Sequence, residues 1–141
     1  MKTAGTITFA VDRLAAALQE RCPDVAFALL HGSARAGMVS PGSDVDVAVY
    51  CNRPVSTQSL LGVMEAAACV VPGAECDVGV LNEADTVFCF EALRGRLLFT
   101  RDQELYLDFY SRTCREYESQ MADYERQHRY RIEARRGGHA A

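Results

Sequence analysis

The run Gly32-Ser33-Ala34-Arg35-Ala36-Gly37-Met38-Val39-Ser40-Pro41-Gly42-Ser43-Asp44-Val45-Asp46 decides the fold. An apolar stretch, Val25 to His31, reads as a buried strand that delivers the chain into Gly32-Ser33. Asp44 and Asp46 open a second strand that runs to Tyr50. Strand alternation sets the two carboxylates on one face and Val45, Val47 and Val49 on the other. Carboxylates side by side at the edge of an apolar strand repel each other and resist burial unless a cation sits between them. A hard divalent cation such as Mg²⁺ suits such oxygen ligands, with substrate phosphates completing its shell. The Gly-Ser turn offers close backbone approach, N–H donors and a hydroxyl, the groups that a nucleotide's terminal phosphates need. The pattern implies metal-dependent nucleotidyl transfer.

Working outward, Val11, Leu14 and Leu18 stand at helical spacing, which predicts a helix from about Thr6 to Arg21, ended by Cys22-Pro23-Asp24. Residues 32–43 read as a Gly- and Ser-rich connection with a Pro41-Gly42-Ser43 turn before the carboxylates. Ser56 or Thr57 caps a helix bearing Leu60, Met64, Ala67 and Val71 on one face, and Pro72-Gly73 ends it. Glu75 to Leu81 alternates as a third strand, with Asp77, Gly79 and Leu81 on one side. A short helix from about Glu83 to Leu93 ends at Arg94-Gly95, where the glycine suits a helix C-cap, and Leu97-Leu98-Phe99 is a fourth strand. From Asp102 to beyond Arg126 one long helix is expected. Its stripe of Leu107, Tyr110, Cys114, Tyr117, Met121 and Tyr124 is read as packing on the domain's own helices. The sum is an α/β (α+β) domain, a small mixed sheet flanked by helices. It is expected to be one domain over residues 1–141, with a core at about 6–100, the long helix at about 102–132 and a frayed basic tail at 133–141.

The 141 residues, 49% hydrophobic, suffice for a real core. The formal net charge of −4 is the wrong sign for a strong sequence-independent nucleic-acid binder, although a bound cation leaves nucleotide substrates open. Six cysteines show no C-x-x-C pairing and no zinc-like spacing with the three histidines, and read as small hydrophobes in a reducing compartment. Asp12 and Arg13 interrupt any signal-like apolar region, and no window approaches the ~18 uncharged apolar residues of a membrane span. A cytoplasmic protein is expected.

A third acid is needed if two metal ions are held. Asp77 is the other carboxylate embedded in a strongly apolar strand, with Gly79 leaving room beside it. Its role would be to complete metal ligation and to act as, or position, the base. Competing motifs fail: Ser33 lacks the G-x-S-x-G elbow of a hydrolase, and no Gly-Lys-Ser/Thr follows Gly32 and Gly37 as a P-loop requires.

Gly32-Ser33, ten residues, Asp44-x-Asp46 and a later-strand Asp77 resemble the signature of the DNA polymerase β-type nucleotidyltransferase superfamily. Leu30-His31-Gly32-Ser33, the run from Asp77 to Ala84 and Arg94-Gly95-Arg96-Leu97-Leu98-Phe99 are similar to the minimal nucleotidyltransferases, in particular the antitoxins encoded beside HEPN-domain ribonuclease toxins. The resemblance spans about residues 25 to 112. It implies transfer of AMP from ATP, with Mg²⁺ (two ions), onto a tyrosine of the toxin. It further implies that Gly32 and Ser33 hold the triphosphate, with Arg35 and Ser43 as further nucleotide contacts, and that Asp44, Asp46 and Asp77 are the metal-binding and catalytic acids. Related sequences often carry a basic residue immediately before the glycine corresponding to Gly37; here that position is Ala36, and Arg35 stands one step earlier.

Two other readings stay open from the residues. A small-molecule nucleotidyltransferase of aminoglycoside-modifying type typically adds a substrate-binding domain, for which 141 residues leave little room. A non-catalytic antitoxin that acts by contact alone would have no use for three acids that cost stability when buried.

Overall fold

The structure, a computed structural model, describes the backbone of residues 5–139 and the side chains of residues 5–137. In chain order the elements are β1 (Ile7–Thr8), α1 (Val11–Arg21), β2 (Val25–His31), β3 (Met38–Val39), β4 (Val45–Cys51), α2 (Thr57–Val70), β5 (Cys76–Val80), α3 (Thr86–Leu93), β6 (Arg96–Thr100) and α4 (Gln103–His139). Four strands form a mixed sheet in the order β5-β4-β2-β6, in which only β4 and β5 run parallel. That parallel pair is joined through α2, as a crossover connection requires.

Helices cover both faces of the sheet. On one, Leu30, Val45, Val47 and Val49 pack with Leu14 and Leu18 of α1 and Val63 and Ala66 of α2. On the other, Phe27, Leu29, Ala48 and Leu81 meet Cys89 and Ala92 of α3 and Phe109 of α4. Covering both faces explains why β2 reads as a continuous apolar run rather than an alternating one. Ser56 caps α2 as expected, accepting the Ser59 N–H at 3.1 Å, while Asp85 caps α3 by accepting the Phe88 N–H at 2.8 Å, so that helix starts at Thr86 rather than near Glu83. Arg101 donates to the carbonyls of Val25 (2.9 Å) and Cys22 (3.1 Å), tying the end of α1 to β6. Among the described residues, no helix is long and apolar enough to cross a membrane.

Four expectations change. The helix expected from Thr6 begins only at Val11, because Ile7–Thr8 pairs antiparallel with Met38–Val39 and the Phe9 N–H bonds the Gly37 carbonyl at 2.9 Å. Thr6-Ile7-Thr8-Phe9 is β-branched and aromatic, and favours extended backbone once a partner strand exists. The connection at 32–43 is correspondingly not plain loop: Gly32–Ala36 is a 3₁₀ turn and Met38–Val39 a strand. Gly95 is not a left-handed cap; Arg94 closes α3 in helical conformation.

The fourth correction concerns α4. The stripe expected in the core is largely outside: Leu107, Tyr110, Met121 and Tyr124 are exposed. The buried line is rotated, running through Phe109 and Thr113 to Tyr117, which stacks on Phe90 with ring centroids 3.7 Å apart. Phe27 and Tyr50 on the sheet draw Phe109 inward, at 5.4 and 5.6 Å between centroids, and so set the rotation of the helix. Residues 118–137 are exposed throughout, and the backbone stays helical to His139, beyond the expected end near 132. The last two residues of the expected tail, 140 and 141, lie outside the described residues.

Candidate active site

Cross-strand register assembles the site. His31 of β2 pairs with Asp46 of β4, and Asp46 pairs with Asp77 of β5, so the three side chains form a row on one face of adjacent strands. Asp44, exposed, precedes β4 by one residue. Asp46 is half-buried and Asp77 exposed at the sheet's end.

Gly32 leaves β2 at φ +71°, and a Cβ built there would collide with a carboxylate oxygen of Asp46 and lie 3.3 Å from its Cγ. Only a residue without a side chain brings this turn onto that carboxylate. Ala34, fully buried, anchors the 3₁₀ turn, while Ser33 and Arg35 face outward. The first N–H groups of such a turn have no acceptor within it and are free for a ligand.

The electrostatics follow from this crowding. Burial first, and then the charges of Asp77 and Asp44, push the Asp46 carboxyl above its ordinary range; His31 opposes the rise. Burial lowers the His31 imidazole, against the pull of Asp46 and Asp77. Cys76, next to Asp77, is pushed up to about 12 by burial and by the same three acids, and so remains a thiol. Among the described residues, no ion pair reaches Asp44, Asp46 or Asp77, and no three His, Cys, Asp or Glu side chains are grouped so as to hold a metal ion by themselves. Gathered like charges with no counter-cation, beside a turn stripped of side chain, fit an open cation site that a phosphate-bearing ligand completes.

A cleft of about 410 Å³ adjoins the turn, lined by His31, Gly32, Ser33, Arg35, Glu91, Arg94 and Gly95. Gly32, Ser33 and Arg35 therefore line one cleft. Ser43 is not in it: its N–H closes a turn on the Ser40 carbonyl at 3.0 Å. The room expected beside Gly79 is also taken, because the Phe88 ring fills it and meets His31 edge-on at 5.6 Å. A larger hollow of about 870 Å³ lies at the opposite end of β4, between Tyr50, Arg53, Asn82 and Leu105. It lacks the Gly-Ser turn, which lines the smaller cleft; Asp44, Asp46 and Asp77 line neither hollow.

His31, Glu91 and Arg94 line the cleft beside the turn, and motif reading did not single them out. The signal for His31 was present: strand alternation puts it on the face of Phe27 and Leu29 and immediately before the turn. Nothing local marked Arg94 and Glu91, which tertiary packing delivers.

Comparison with known proteins bears on this arrangement. No curated protein sequence matches the chain. Among solved structures, a mutant of the MntA–HpeT toxin–antitoxin superposes with a TM-score of 0.65 at 21% identity, over 81% of this chain and 91% of that one. A toxin–antitoxin with AMP-PNP gives 0.62 at 22% identity, over 80% and 90%. A tri-AMPylated Shewanella oneidensis HEPN toxin in complex with MNT antitoxin gives 0.59 at 20% identity, over 80% and 87%. At these identities the likeness establishes the shared fold. Residues 13–104, which carry the Gly-Ser turn and all three acids, match the family described as Polymerase beta, Nucleotidyltransferase, and the chain belongs to that family.

Proposed function

We propose that this protein is a Mg²⁺-dependent adenylyltransferase that moves AMP from ATP onto a tyrosine of a HEPN ribonuclease toxin and thereby neutralises it. The observation that carries the reading is the register pairing of Asp46 with Asp77 directly beneath the Gly32-Ser33 turn. Support for donor and acceptor comes from similar folds: one of the solved structures contains AMP-PNP, and another a tri-AMPylated toxin.

Asp44, Asp46 and Asp77 would hold Mg²⁺, which when bound offsets the negative charge of the reacting phosphate and polarises its oxygens. Gly32, Ser33 and Arg35 seat the triphosphate with backbone N–H groups, a hydroxyl and a guanidinium. The tyrosine oxygen attacks the α-phosphorus, the bond to the β-phosphate oxygen breaks, and pyrophosphate leaves. Asp77, the most open of the strand-borne acids, takes the phenolic proton or positions the group that does. The protein's contribution is position and electrostatics. The exposed Leu107, Tyr110, Met121 and Tyr124 of α4 offer the amphipathic face on which the toxin docks.

Co-expression tests the reading. The native chain relieves toxicity of its cognate toxin, and mass spectrometry after incubation with ATP finds one or more adenylate additions on a toxin tyrosine. Asp46→Asn abolishes both. Equal protection by Asp46→Asn would mean neutralisation by binding alone.

A further inference from the structure

The cleft beside the Gly-Ser turn has a second wall that the nucleotidyl-transfer motif does not account for. It is the corner where α3 gives way to β6, and its position is set by Gly95. A Cβ on Gly95 would collide with the Leu30 carbonyl and lie 2.9 Å from the His31 Cα, so the corner presses directly on the strand that feeds Gly32-Ser33. Arg94, the residue before it, is thereby held at the mouth of the same cleft as Ser33 and Arg35. Its guanidinium rests 3.6 Å from the Glu91 carboxylate, one turn back on α3, and both side chains are more than half exposed. An exposed pair of this kind is weak and exchanges readily for a better anion. A phosphate is the better anion for a guanidinium, because it accepts two parallel N–H bonds and brings more charge.

We propose that Arg94 is a phosphate-binding residue of this site, leaving Glu91 to grip the terminal phosphates of the nucleotide from the side opposite Arg35. The inference rests on the nucleotidyl-transfer reading and names a ligand contact which that reading leaves out. Arg35 and Arg94 then clamp the phosphate chain between two elements, the 3₁₀ turn and the α3–β6 corner, that are locked together by the Gly95 contact.

The test is calorimetric titration of the full chain, in Mg²⁺, with ATP and separately with tripolyphosphate. Arg94→Ala is expected to weaken both by about tenfold or more, as loss of a charge-assisted phosphate contact does, and Arg94→Lys to recover part of the loss. Arg96→Ala is the control. Arg96 pairs with Leu30 on the other face of the sheet, so the substitution removes the same charge nearby without touching the cleft. Equal weakening by Arg94→Ala and Arg96→Ala would reduce the effect to general electrostatics and overturn the proposal. So would unchanged tripolyphosphate binding in a folded Arg94→Ala protein, while native ATP binding left the nucleotidyl-transfer reading standing. A native chain that binds neither ligand would remove that reading, and the proposal with it.

Discussion

Gly32→Ala separates the stability of the fold from the geometry of the site. At φ +71° an alanine adopts a left-handed conformation that costs about 1–2 kcal/mol for an L-residue. For a domain of this size that is roughly 3–6 °C in melting temperature. The new methyl group would also occupy the space of the Asp46 carboxylate. That carboxylate is the end of a side chain and turns aside, so the clash adds little to the loss of stability. The displacement, however, carries Asp46 away from Asp77, and a misplacement of about 1 Å at a reacting centre costs on the order of 100-fold in rate. Gly73→Ala supplies the comparison. Its φ is +89°, and the nearest atom to a new Cβ is the tip of Ile7 at 3.4 Å, in a turn between α2 and β5. Thermal melts and initial rates of adenylyl transfer, measured on both variants, should show matched melting temperatures and a rate loss confined to Gly32→Ala. Equal activities in the two variants would refute the argument that the turn must lie directly on Asp46.

Asp46→Asn is expected to melt higher than the native chain at neutral pH while losing turnover. Burial raises the folded-state pKa of Asp46, so its favourable contribution is complete below the ordinary carboxylate value and is lost as pH rises through the raised value. The advantage of the amide therefore shrinks to nothing as melts are taken down to about pH 3, below the unfolded-state value. Arg35→Ala should weaken ATP binding by roughly tenfold, since this exposed guanidinium lines the Gly-Ser cleft; calorimetry showing no change would assign the phosphates to Ser33, the backbone and the cation. Mg²⁺ and ATP together should stabilise the fold by about 2.7 kcal/mol at a hundredfold excess over Kd, and EDTA should abolish the shift in a melting assay.

What was legible in the sequence was what depends on one strand at a time. Val25–His31 and the valines of β4 announced themselves by run and alternation, and the cost of placing Asp46 among those valines marked it as a site residue. What was not legible depends on pairing across distance. Ile7–Thr8 becomes a strand only because Met38–Val39 arrives beside it, and a helical reading of the same residues is equally consistent with their spacing. Gly95 looked like a helix cap because glycine serves both purposes; the contact with Leu30 that explains it lies about 65 positions away in the chain. The rotation of α4 failed for a related reason. Apolar residues at 105, 106, 107, 109 and 110 allow two stripes, and the choice between them is made by the aromatic rings of Phe27 and Tyr50 on the sheet.

The outer half of α4 is therefore a helix without a core to hold it. From residue 118 onward every described side chain is exposed, over about 30 Å of helix at 1.5 Å per residue. Packing stabilises most helices, so this one must draw on local terms. Its charges are sorted accordingly. Glu116, Glu118, Asp123 and Glu125 precede Arg126, Arg129, Arg131, Arg135 and Arg136, with Glu133 the one acid among them. Arg135 and Arg136, close to the C-terminal end of the helix, complement its dipole. At the junction, Asp123 and Arg126 pair at 3.4 Å one turn apart. Such terms supply only a few tenths of a kcal/mol each, enough to favour a helix but not to explain exposed Met121, Tyr124, Tyr130 and Ile132 along it. Apolar and aromatic side chains in that setting raise the cost of standing free in water, and a docked protein partner lowers it. A nucleotidyltransferase whose acceptor is a protein has a use for such a surface; one whose acceptor is a small molecule does not.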